Sequence, residues 1–360
     1  MKPVLRAVLR ALGSLFLLLL VVLAVVGIVQ NSRSGETAEV ETAFSFDLYG
    51  ENRFTPVGRG LLVTSDAGLT LCDETGKTLI ARTAGYAEPF TAYSGSYAAV
   101  WSQDSSRVIL LSEKGETTEL TLPGNGISAK VNGEGWGVFL SRESGSKGVA
   151  TVVKPDGQAV YRVRLGSSYP VDAALSPGSD SLALLTLRGT GSHVGLYSLS
   201  QEEELYGWSG EEQVFFELQY LGDDALILLS TERAVFLDSR CEPVNTYDYQ
   251  GEYLKDYALT GEGFVVLALG RHRNGSAARL LTLDQNGREL GTLEVQGEVQ
   301  GLSAGGRWIS VLYQDRLVLY DPALQQKGSL ENASGVQAAL VREDGSAIVV
   351  AGGNATIFHP

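Results

Sequence analysis

The sequence predicts an all-β chain, an eight-bladed β-propeller behind one membrane-spanning helix. Three observations predict it. Near the N-terminus lie 19 residues without a charge; beyond them a strand–turn–strand unit recurs eight times; and the last unit is one strand short, while a lone strand stands ahead of the first. Glycine, at 43 of 360 residues, supplies the tight turns that many short strands require.

The first element is the apolar run from Ala11 to Val29, ALGSLFLLLLVVLAVVGIV. As a helix it would be about 28 Å long, close to the hydrocarbon thickness of a bilayer. A cleaved signal peptide is the alternative, but its apolar core is shorter and ends in small residues of the A-x-A kind. Here the run ends Gly27-Ile28-Val29-Gln30, and no cysteine lies near to carry a lipid. Lys2, Arg6 and Arg10 precede the run, and only Arg33 closely follows it among Glu36, Glu39 and Glu41. The positive-inside rule puts residues 1–10 in the cytoplasm and everything after residue 30 outside. Residues 30–42 read as a polar linker and 43–360 as the propeller.

The repeat begins at Gly60. Its apolar strands stack as GLLVTS (Gly60), SYAAVWS (Ser96), GWGVFLS (Gly135), DSLALLT (Asp180), DALILLS (Asp224), EGFVVLA (Glu262), GRWISVL (Gly306) and GSAIVVA (Gly345). Their mean spacing is about 41 residues, the length of a four-stranded blade. A second apolar strand follows each, and several end in turn chemistry, as in Asp73…Gly76, Pro155-Asp156-Gly157 and Asn286-Gly287. AFSFDLY from Ala43 is the lone strand; joined to the three of the last unit it makes an eighth blade and seals the ring. A seven-bladed ring is the alternative.

SPGSDSLALL from Ser176 and REDGSAIVVA from Arg342 carry a turn that resembles the S-x-D-G-x-hydrophobic turn of WD40-like and quinoprotein-like propellers. The whole arrangement of span, short acidic linker and propeller units resembles a family of membrane-anchored propellers of unknown function in Gram-positive bacteria. The resemblance implies fold and location. It brings no catalytic residue and no cofactor.

Net charge is −14 overall and +3 over the first 30 residues, which leaves −17 for the rest. So acidic a surface repels phosphate backbones, and nucleic acid is not an expected partner. Cys72 and Cys241 fall four blades apart and are expected to be free thiols. His193, His272 and His359 show no zinc spacing and read as surface residues; no P-loop exists. Trp101, Trp136, Trp208 and Trp308 keep no common phase and read as core aromatics of separate blades. Asp172 and Asp256 lie on inner strands, where propeller glycosidases carry carboxylates, but the sequence does not name their partners.

The candidate site is on the surface. In a propeller the hairpin between a blade's second and third strands shares a face with the crossover to the next blade. Three such hairpins are long and basic: RESGSKG from Arg142, RGTGSH from Arg188 and GRHRNGSA from Gly270. They place Arg142, Lys147, Arg188, Arg271, His272 and Arg273 on an acidic domain, as tips in solvent or as a patch for an anionic partner. The closing strand starts on the other face, which is expected to look toward the membrane. The expected function is a non-enzymatic binding or scaffold module in the cell envelope, tethered to the bilayer and contacting an envelope protein or anionic polymer. The alternatives are an extracytoplasmic hydrolase or lyase with its site at the channel mouth, and a ligand sensor acting through a membrane partner.

Overall fold

A computed structural model of the chain describes residues 40–46, 51–83, 85–103 and 105–360. The predicted cytoplasmic segment, the spanning helix over 11–29 and most of the linker lie outside the described residues. Within them, 32 strands form eight four-stranded antiparallel sheets. Seven sheets take four consecutive strands each. The eighth takes Val336–Val341, Ala347–Ala351 and Asn354–Phe358 from the C-terminal end, and Val40–Ser45 from the other, paired outermost on Asn354–Phe358. The fold is the eight-bladed propeller, not the seven-bladed one.

The closing strand begins at Val40, three residues before the alternating stretch that marks it in the sequence. Backbone pairing of Val40 to Phe358 and Glu41 to Ile357 extends it through polar residues, with a bulge between Thr42 and Phe44.

The first strands of blades 1 to 8 are Arg53–Val57, Phe90–Ser94, Gly126–Val131, Tyr169–Leu175, Glu217–Tyr220, Tyr253–Ala258, Val299–Gly305 and Val336–Val341. They touch one another around a central axis, as in the pairs formed by blades 3 and 4, 4 and 5, and 7 and 8. The second and third strands are sandwiched between neighbouring blades. Both of their faces are covered, so they read as unbroken apolar runs: Gly60–Thr64 and Phe264–Gly270 are buried throughout. The fourth strands face solvent on one side and alternate, as Pro243–Asp248 does.

The core therefore consists of separate interfaces between blades. Ile227 and Phe236 of blade 5 pack against Val265, Leu267 and Leu281 of blade 6. Phe236 is fully buried, which stabilises the interface by about 2 kcal/mol. Gly287, in the 3–4 hairpin of blade 6, closes on that ring: its φ is +72°, and a Cβ there would lie 2.5 Å from Phe236. Aspartates hold this hairpin and its counterparts in blades 1 and 5. Asp73, Asp238 and Asp284 each accept N–H bonds from residues two and four further on.

Cys72 in blade 1 and Cys241 in blade 5 are both free and buried. Burial pushes the Cys72 thiol up, and pushes that of Cys241 up to about 12.

Candidate functional site

Antiparallel order puts crossovers and 2–3 hairpins on one face of the ring, and 1–2 and 3–4 hairpins on the other. All six candidate residues lie on the first face, in the 2–3 hairpins of blades 3, 4 and 6, and their side chains are exposed. They are not equally free. Arg188 pairs with Glu204 at 3.5 Å, and Arg271 with Glu294 at 3.1 Å, each on a fourth strand. Lys147 donates to the Tyr169 hydroxyl at 2.8 Å, with its ammonium 4.6 Å from the ring centroid. Arg142 and Arg273 make no ion pair with any described residue.

The structure adds cations and apolar groups that loop-by-loop reading missed. Arg162 and Arg164, on the fourth strand of blade 3, hold Glu143 at 2.7 and 2.9 Å and neutralise the one acid of the Arg142 hairpin. Lys255 donates to the carbonyls of His272 and Arg273 at 2.6 and 2.7 Å, fixing the tip of the blade 6 hairpin. Between the basic hairpins the same face exposes Tyr169 (52%), Val214 (57%), Phe216 (38%) and Tyr253 (42%). They lie at the starts of the first strands of blades 4 and 6 and in the crossover to blade 5. Glu211 and Glu212, in the crossover to blade 5, divide the cations into one group over blades 3 and 4 and another over blade 6.

An ion cluster joins the first strands of blades 3, 4 and 5. Lys130 of blade 3 donates to Asp172 Oδ2 of blade 4 at 2.6 Å, and also to Glu217 Oε1 and the Leu218 carbonyl of blade 5. Asp172 further accepts from Ser128 Oγ and Leu218 N–H, each at 2.9 Å, and Tyr257 of blade 6 donates to Glu217 Oε2 at 3.0 Å. Burial pushes the Lys130 ammonium down, but the two carboxylates outweigh it and hold its pKa above the usual lysine value. Burial raises that of Glu217 despite Lys130. Among the described residues Asp256 accepts only from Tyr257 N–H, and burial raises it too. The inner-strand carboxylates are thus engaged by lysine, serine, tyrosine and backbone, and no cluster of metal-ligating side chains occurs among the described residues.

One histidine departs from expectation. His193 is buried within the third strand of blade 4, not at the surface. The Glu204 carboxylate can only accept, so Nε2 carries the proton and donates to Oε1 at 2.8 Å; Nδ1 is left to accept from Ser209 Oγ at 2.9 Å. Tyr197 also donates to Glu204, at 3.2 Å. Burial, with the Glu204 charge beside it, pushes that phenol up to about 12. A hollow of about 300 Å³ adjoins His193 and Ser209.

Solved structures share the architecture. The C-terminal WD40 domain of Sif2 superposes with a TM-score of 0.63 at 13% identity, over 91% of this chain and 100% of that one. BamB from Moraxella catarrhalis gives 0.55 at 14%, over 89% and 100%, and a eukaryotic initiation factor 0.57 at 13%, over 88% of each. At such identities the likeness is one of fold alone. No curated protein matches the chain. The family of unknown function DUF5711 matches residues 31–354, nearly the whole of it, and the chain belongs to that family.

Proposed function

We propose that this protein is a non-enzymatic binding or scaffold module of the cell envelope, held at the membrane by residues 11–29, that grips an acidic partner on its crossover face. One observation carries the reading: the exposed Tyr169, Val214, Phe216 and Tyr253 stand between two groups of cations, with Arg142, Lys147 and Arg188 on one side and Lys255, Arg271 and Arg273 on the other. Apolar anchors rimmed by one sign of charge suit a chain or surface that brings carboxylates to both ends and side chains to the middle. The closing strand begins at Val40 on the other face. Crosslinking on intact cells tests the reading. Arg271→Glu with Arg273→Glu should abolish capture of a partner that is salt-sensitive in the native protein, with the melting temperature unchanged. Capture that survives the double reversal overturns it.

A hydrolase is the second reading, and the Ser209–His193–Glu204 relay favours it. Its connectivity is that of nucleophile, base and orienting acid, although it lies on outer strands rather than at the channel mouth. Ser209, however, is paired opposite His193 within a regular strand, not raised on the sharp turn that presents a nucleophile. A fluorophosphonate that labels Ser209 in the native protein, and not after His193→Ala, would replace the first reading with this one.

A further inference from the structure

At the opposite face, the mouth of the channel opens into a cavity of about 700 Å³, the size of a small-molecule site, walled by blades 1, 2 and 5 to 8. Arg342 stands in its wall, directly after the first strand of blade 8, and is only 5% exposed. Its Nε and Nη2 have no hydrogen-bond partner among the described residues. These two donors form one edge of the planar guanidinium, and their spacing matches the two oxygens of a carboxylate. The nearest acid does not serve them. Asp344 spends Oδ1 on Ser346 N–H and Oγ at 2.9 and 2.6 Å, and turns Oδ2 to Arg59 at 3.7 Å. A buried guanidinium without an anion is an unfavourable resting arrangement that an arriving carboxylate relieves.

The rest of the rim restricts what that carboxylate belongs to. Glu113 lies against Gly58, whose φ of +56° and missing side chain make room for it, and Glu343 is exposed beside Arg342. Neither is in an ion pair with a described residue. With Asp344 they outnumber Arg59 and Arg342, so a dianion is repelled and a cationic group is drawn to the rim. Thr260 donates its hydroxyl to the Ala304 carbonyl at 2.6 Å, and Tyr93, from the opposite side of the ring, is hydrogen-bonded to Thr260, so neither hydroxyl is free for a ligand.

We infer that this cavity is a binding site for a small zwitterion, an amino acid or dipeptide, whose carboxylate draws the Arg342 fork out of its buried seat while its ammonium faces Glu113 and Glu343. The site is on the other face from the cation-rich surface and stands or falls independently of it.

Calorimetry on the full-length protein in detergent tests the inference, with alanyl-alanine, its C-terminal amide, its N-acetyl derivative and glutarate as probes. Alanyl-alanine should bind, and each of the other three at least about tenfold more weakly, because each lacks one charge or carries one too many. Arg342→Gln should abolish binding with the melting temperature unchanged or raised, because it removes an unpaired buried charge; Glu113→Gln should weaken the dipeptide but not the N-acetyl compound. No heat from alanyl-alanine at millimolar concentration, equal binding of acid and amide, or undiminished binding by Arg342→Gln overturns it.

Discussion

Lys130 and Asp172 meet at 2.6 Å across the channel wall between blades 3 and 4, one repeat apart in sequence. With Glu217 they form a triad in which one cation serves two largely buried carboxylates. Removing the cation should therefore cost far more than a surface ion pair would.

Lys130→Met leaves Asp172 and Glu217 uncompensated and should destabilise the domain by about 3–5 kcal/mol at pH 8 in urea unfolding. The loss should shrink at pH 5. Burial raises the pKa of Glu217 above its unfolded value of 4.5, so the fold favours the protonated acid. That contribution is fully present below pH 4.5 and disappears as pH rises through the folded value. Equal losses at the two pH values would mean that Glu217 is not the strained partner.

Deleting residues 1–46 removes the outermost strand of blade 8 and exposes the edge of Asn354–Phe358. Amide protection should fall first in Asn354–Phe358, then in Ala347–Ala351, and the melting midpoint should drop. Unchanged exchange in blade 8 would show that closure contributes nothing.

Neither thiol should react with an aromatic disulfide reagent in the native protein at pH 8; two should react after unfolding, with gel mobility the same with and without reductant. Cys241 is raised by burial from 9.0 to about 12, so its contribution holds below pH 9 and is lost as pH rises toward 12. Cys241→Ala should flatten the fall in stability across that window. A disulfide, or one rapidly titrating thiol, would contradict the buried placement.

The proposed tether has its own test. External protease on cells stripped of their wall should leave a small membrane stub, whereas release of an intact domain beginning near residue 30 would mean that the apolar run is a cleaved signal.

Much of this was legible in the sequence, and the reason is that a blade's signals are local. A strand buried on both faces, such as Phe264–Gly270, shows as an apolar run, and a hairpin such as that of Asp284 and Gly287 shows through turn residues. Eight repetitions in register, with a lone strand left over at one end, were enough to count the blades and to put Arg142, Arg188 and Arg271 on one face. What those residues meet was not legible. Arg188 finds Glu204, Lys255 holds the carbonyls of His272 and Arg273, and Lys130 reaches across 87 residues to Glu217. Arg342 reads in sequence as part of a hydrophilic turn, yet it is buried at a cavity wall with its fork empty. The Arg188 and Lys255 contacts are made within one blade each, between segments the repeat does not pair, and the Lys130–Glu217 contact joins different blades. The last depends on how the closed ring brings one blade's first strand against the next, and hydrophobic periodicity, which reports the burial of each strand by itself, carries no information about any of them.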